Sequence, residues 1–137
     1  MEIAQDSSSV FIGGDLKEKP IIIVMSFDDK MVVSGSVLLQ QSDLKGKAVV
    51  EIRRIIGSSI LLAACSCYLF AYSYSDKSFA QLNKFTVGPD CKEILDIRIK
   101  WNKIFVLDDS GSIFVRRAPV RFDIKEGTRK GKFIVKL

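Results

Sequence analysis

Histidine is absent from all 137 residues. No imidazole can therefore act as a general base, ligate a metal or complete a Ser-His-Asp or Cys-His arrangement. Cysteine is scarce as well, with Cys65, Cys67 and Cys91 as the whole complement. Three thiols without histidine cannot fill a four-ligand zinc site from this chain alone. An odd count with a C-x-C pair does not make a disulfide framework, and a bridge between alternate positions of one strand is geometrically awkward. The expectation is reduced, half-buried thiols in an intracellular protein, cytoplasmic or nuclear. No signal peptide is expected, because Met1 to Ser9 is polar and serine-rich and reads as an arm. No metal, cofactor or small-molecule substrate is expected either.

What the chain does contain is ordinary for a folded domain. Apolar residues make up 47% and charged residues 27%, which argues against disorder and against low-complexity classes. The formal charge of +5 is unevenly spread. From Arg116 to Leu137, the basic residues Arg116, Arg117, Arg121, Lys125, Arg129, Lys130, Lys132 and Lys136 face only Asp123 and Glu126, a local charge of +6. The preceding residues carry a net −1. Spaced apolar residues run through the basic segment, so it reads as a hairpin: a strand over Val120 to Ile124, a turn bracketed by Gly127 and Gly131, and a strand from Phe133. The expected organisation is a body over residues 1–115, including the polar arm 1–9, and a basic hairpin or tail over 116–137.

The twenty residues from Ile55 to Tyr74 carry no charge and follow Arg53-Arg54, the length and flank of a membrane span. The aromatic spacing argues otherwise. Tyr68, Phe70, Tyr72 and Tyr74 occupy alternate positions, which scatter round a helix but line one face of a strand. Two strands, with no membrane partner, are the better account.

The remaining apolar runs are short, rich in β-branched residues and closed by turn signals. Strands are expected at Ile21 to Met25, Met31 to Val33, Val37 to Leu39, Val49 to Ile56 and Ile60 to Ala64. Further strands follow at Tyr68 to Tyr74, Phe79 to Val87, Ile94 to Ile99, Ile104 to Leu107 and Ile113 to Val115. Turns are expected at Asp28-Asp29-Lys30, Ser34-Gly35-Ser36, Gly57-Ser58-Ser59, Trp101-Asn102 and Asp108 to Ser112. No amphipathic helix of three turns is present, so the chain is all-β and antiparallel. The stretches around Ser34-Gly35-Ser36 and Ser110-Gly111-Ser112 resemble each other, and a middle copy centred on Cys65-Ser66-Cys67 gives a mean step near that of a four-stranded propeller blade.

Lys92 to Arg117, "KEILDIRIKWNKIFVLDDSGSIFVRR", looks like one such blade, and Lys45 to Lys77 continues the pattern upstream. Within propellers this stretch is similar to the scaffold family of the cleavage-and-polyadenylation factor, the splicing factor 3b propeller subunit and the damage-binding scaffold of cullin ubiquitin ligases. The family's hydrophobic–Asp–x–x–x–Ser–hydrophobic run is matched by Val106 to Phe114. The resemblance covers just over half the chain and implies a non-catalytic assembly platform. A Trp-Asp or Gly-His pair is missing, so the standard WD-repeat signature is absent. Closed propellers need at least four blades, and about three fit here. Exposed sheet edges then invite a protein partner. A small β-sandwich or open barrel is the other architecture compatible with these strands.

Asp28-Asp29 and Asp108-Asp109 are the adjacent carboxylate pairs. Neighbours on a strand point to opposite faces, and Asp in turns caps local backbone, so both pairs read as turn residues rather than acid pairs or calcium ligands. Cys65 and Cys67 lack a histidine activator and read as packed thiols. Gly13-Gly14 is not a phosphate loop, because no Gly-Lys-Ser/Thr follows. The tyrosine and phenylalanine ladder lacks the interleaved cations of a base-stacking surface and reads as core. The function expected is a protein-interaction scaffold, a small subunit of a larger complex, binding through sheet edges and the basic hairpin. The alternative is an accessory RNA-binding domain of a ribonucleoprotein complex. The candidate binding residues are Arg116, Arg117, Arg121, Arg129, Lys130, Lys132 and Trp101, the last reading equally as an anchor or as a turn-packing residue.

Overall fold

A computed structural model describes residues 2–3, 9–27, 31–55, 58–75, 78–117 and 132–136. Strands β1 (Glu2–Ile3), β2 (Ser9–Leu16), β3 (Lys19–Phe27) and β4 (Met31–Leu38) form the first sheet, in that order. The second contains β5 (Glu51–Arg54), β6 (Ile60–Cys65), β7 (Tyr68–Ser75) and β8 (Ser78–Thr86). The third contains β9 (Ile94–Lys100), β10 (Lys103–Asp108), β11 (Ser112–Arg117) and β12 (Lys132–Lys136). All neighbouring strands are antiparallel and consecutive in the chain. The fold is all-β, as the apolar runs require. A single 3-10 turn at Ser42–Leu44 is the helical exception among the described residues.

The sheets stack face to face in chain order, with the second in the middle. Period-2 alternation in β6 and β7 builds both interfaces. Leu61, Ala63, Cys65, Phe70 and Tyr72 face the first sheet, where they meet Phe11, Ile22 and Val24. Ile60, Leu62, Ala64, Leu69 and Ala71 face the third, where they meet Ile94, Ile97, Ile104 and Val106. A strand buried on both faces has no position left for a charge. The charge-free run from Ile55 to Tyr74 is therefore a twice-covered pair of strands. Among the described residues no helix is long and apolar enough to cross a membrane. The aromatic ladder lies where alternation puts it: Phe70 and Tyr72 are in the first core, and Tyr68 and Tyr74 pack against it. Each large side chain so buried contributes on the order of 1.5–3 kcal/mol.

The two links between sheets are fastened to neighbouring turns. In residues 39–50, the N–H groups of Leu39, Gly46 and Val49 donate to the carbonyls of Pro20, Glu18 and Gly14. The Tyr68 hydroxyl donates to Asp43 Oδ2 at 2.7 Å and holds the 3-10 turn against β7. In residues 87–93, Val87 N–H donates to Cys67 O, and Asp109 Oδ1 accepts from the N–H groups of Lys92 and Glu93. Those two bonds draw the Asp109 carboxyl below its ordinary range.

Several expectations require correction. Cys67 and Cys91 form a disulfide, with Cα atoms 5.8 Å apart. The turn after β6 and the link before β9 bring together two thiols that are 24 residues apart in the chain. Cys65 alone is free, and burial pushes its thiol up to about 11. Ser34-Gly35-Ser36 is not a turn but lies inside β4, where a bulge shifts the register opposite Val24 and Met25. Ser34 Oγ is taken up there, within 3.1 Å of Ser26 Oγ. The position equivalent to the Ser110-Gly111 turn is instead Lys17-Glu18, the turn between β2 and β3. Part of the expected polar arm, Glu2–Ile3, pairs with β2. Lys132–Lys136 pairs with β11 as the fourth strand of the third sheet. The strand expected over Val120 to Ile124, its turn, and Asp28-Asp29 lie outside the described residues.

Candidate interaction site

Trp101 and Asn102 form the two-residue turn between β9 and β10, both with left-handed backbone (φ 52° and 59°). Both central residues of such a hairpin turn need positive φ, which suits Asn and is uncommon for a bulky side chain. The indole is 76% exposed, and Lys100 Nζ lies over its ring, 4.8 Å from the centroid. A tight hairpin pairs the residues that flank its turn, so Lys100 stands opposite Lys103. Lys103 in turn stands opposite Arg117 on β11. Directly paired residues share a face. Three cations therefore form a row across the end of the third sheet, beside Trp101.

Arg116, one position earlier, points to the other face. It is half-buried, with its guanidinium carbon 4.0 Å from the centroid of the Phe85 ring. Burial lowers its pKa from the usual guanidinium value. It lines an apolar cavity of about 210 Å³ between the second and third sheets, with Leu69, Val87 and Phe114. Gly88 makes room for that aromatic: its φ is +73°, and a Cβ there would meet Phe114 Cζ. Arg116 thus fills an inter-sheet gap, while Arg117 is presented to solvent. Lys132 is in register with Arg116 on β12. Arg121, Arg129 and Lys130 lie outside the described residues.

The Trp101 turn also borders a cleft of about 490 Å³ where β5 and β9 run side by side, lined by Glu2, Arg53, Arg54, Lys100 and Trp101 among others. Arg53 is internally neutralised there, 2.7 Å from Glu51 and 3.7 Å from Asp96. Glu2 Oε2 accepts the Arg54 N–H at 2.9 Å, so the cleft already seats one carboxylate.

Asp108 and Asp109 behave as turn residues. Asp108 is buried, and its Oδ1 accepts from Ser110 N–H, Ser110 Oγ and Ser112 N–H. Among the described residues no group of three histidine, cysteine, aspartate or glutamate side chains is placed to hold a metal ion.

The outward faces of the two end sheets complete the surface. On the first sheet, Val10, Ile12, Ile21, Ile23, Met25, Val33 and Leu38 share the outward face and are half-buried or exposed, with no carboxylate among them. On the third, Phe105, Leu107, Ile113 and Val115 form an outward apolar stripe running into the cation row. Lys100 and Lys103 were legible in principle, because any two-residue turn at Trp101-Asn102 pairs them. The outward apolar faces were not legible, since alternation does not say which face of a sheet is covered. Comparison with protein-family models and with curated proteins finds no match for this chain.

Proposed function

We propose that this chain is a non-catalytic protein-interaction module: three propeller blades of an open ring, forming one component of a larger complex. One observation carries the reading, the outward face of the first sheet. Its seven apolar side chains are grouped as the buried ones are in the first core, yet no element of the described chain covers them. Contiguous apolar surface of that kind marks a site for another polypeptide. The blade reading draws on three four-stranded meanders stacked in chain order, on β5 lying beside both β1 and β9, and on the family resemblance of Lys45 to Arg117. A non-enzymatic role accords with the missing histidine and with a buried, protonated Cys65. The intracellular expectation rested on reduced thiols, and the Cys67–Cys91 bond removes that ground.

The test compares the wild type with Ile23→Asp, each recovered from its own cells at native expression. Ile23→Asp should elute as the free chain while the wild type elutes in a larger assembly. Identical elution of the two as monomers contradicts the reading. The RNA alternative draws on Arg117 and the basic residues beyond it, and requires an affinity that falls steeply with salt.

A further inference from the structure

Lys100, Lys103 and Arg117 lie in cross-strand register on one face of the third sheet. Like charges placed directly opposite repel, so such a row calls for a counter-charge. Among the described residues no ion pair to any of the three is formed. The carboxylates nearest this row are already engaged: Asp96, on the same face in register with Leu107, by Arg98 and Arg53, and Glu2, which borders the cleft with Lys100, by the Arg54 N–H. Trp101 extends the row at the turn, and the apolar stripe of Phe105, Leu107, Ile113 and Val115 continues from it on the same face.

We infer that the outward face of the third sheet docks an acidic segment of a partner polypeptide, with carboxylates on the Lys100–Lys103–Arg117 row and apolar side chains on the stripe and on Trp101. The inference rests on the interaction-module reading and names the partner's chemistry. The row spans two strand spacings, about 9.5 Å, and an extended chain presents carboxylates on alternate residues about 6.7 Å apart. A short acidic strand therefore covers it.

Two other occupants fit less well. A second copy that closed the ring would bring its first sheet against this face. That sheet's outward positions contain no carboxylate among the described residues, which leaves the row unpaired. Single-stranded nucleic acid would find cations, the exposed ring of Trp101 and the half-buried ring of Phe105. Yet Leu107, Ile113 and Val115 offer no stacking surface, and sheets that bind single strands interleave rings with cations.

Trp101 is the sole tryptophan, so its fluorescence reports on this face directly. The full chain is titrated with a ten-residue peptide alternating glutamate and valine, with its glutamine counterpart, and with a ten-nucleotide oligouridylate. Sedimentation velocity is run alongside. The acidic peptide should shift the Trp101 emission to the blue and bind at least tenfold more tightly than the glutamine peptide. Lys103→Glu should abolish that preference with the far-UV spectrum unchanged, and Lys17→Glu, in the opposite sheet's turn, should leave it intact. Arg117→Gln replaces Lys103→Glu if the latter misfolds, and should cost several-fold. Equal binding of the two peptides overturns the acidic partner while leaving protein docking standing. Tighter binding of oligouridylate overturns it in favour of RNA, and self-association lost in Lys103→Glu overturns it in favour of a second copy. Absence of any fluorescence response overturns the site. The interaction-module reading fails separately, through the first sheet and Ile23.

Discussion

Gly13 and Val49 are in contact so close that any side chain at position 13 must displace Val49. A Cβ added to Gly13 would lie 2.6 Å from Val49 Cγ1 and 3.0 Å from the Val49 carbonyl oxygen. The same segment is tied again by Val49 N–H donating to Gly14 O at 3.1 Å. This contact seats the link before β5 on β2, so it sets how the first sheet meets the second.

Gly13→Ala should therefore destabilise the fold by about 1–3 kcal/mol, the usual range for overpacking a tight contact. Equilibrium urea unfolding measures it. Gly14→Ala serves as the control, because open space surrounds its Cβ direction. Equal midpoints for the two variants would show that the sheets do not close on Gly13.

Asp108 organises the turn between β10 and β11 through Oδ1 alone. Asp108→Ala removes the acceptor of two backbone N–H groups near the core and should cost about 1–3 kcal/mol. Asp108→Asn keeps an oxygen at that place and should cost less. A thermal scan of both variants checks the order, and equal losses for the two would assign the stabilisation to the charge instead of the acceptor oxygen.

Reduction of Cys67–Cys91 should also lower stability. The bond closes a loop with a sequence separation of 24, for which loss of the constraint on the unfolded chain is worth about 3 kcal/mol. The paired substitution of both cysteines by serine, unfolded in urea, should reproduce the effect of reductant on the wild type. Reductant should then have no further effect on the double variant.

Alkaline pH should loosen the boundary between the first and second sheets. Burial pushes the Cys65 thiol up to about 11 and the Tyr72 hydroxyl to about 12. Both pKa values are raised above their unfolded counterparts, so the stability linked to them is fully present below the unfolded values. It is lost as pH rises through the folded ones. The urea midpoint should stay flat from pH 7 to roughly 8.5 and fall between about pH 9 and 12. Cys65→Ala should blunt the lower part of that fall.

The strand inventory was largely legible because alternation, turn residues and β-branched runs all act locally. β6, β7, β8, β9, β10 and β11 fall within a residue or two of the runs that point to them. β2 was missed because Gly13-Gly14 interrupts its pattern, and the need for glycine arises from Val49, which is distant in sequence. The Ser34-Gly35-Ser36 error has the same origin. A bulge within a strand and a turn between strands use the same small polar residues, and only the pairing with Val24 and Met25 separates them. The disulfide is hidden in the sequence because Cys67 has Cys65 as its near neighbour there, while folding carries Cys91 to Cys67. At the candidate site, the sequence marks Arg117 as a cation and leaves Trp101 between an anchor and a turn-packing residue, which its exposure at the β9–β10 turn decides. Whether Arg116 or Arg117 meets solvent depends on which face of β11 is covered, and that is set by Phe85 in the neighbouring sheet.

Another polypeptide should cover the outward face of the first sheet. Site-specific photo-cross-linking in living cells tests it most directly, with the photoreactive residue placed at Ile23 on that face or at Gln81, an exposed position on β8. Position 23 should give one discrete heterologous product and position 81 none. A chain that stays uncrosslinked at position 23, or that gives the same diffuse products at both positions, contradicts it.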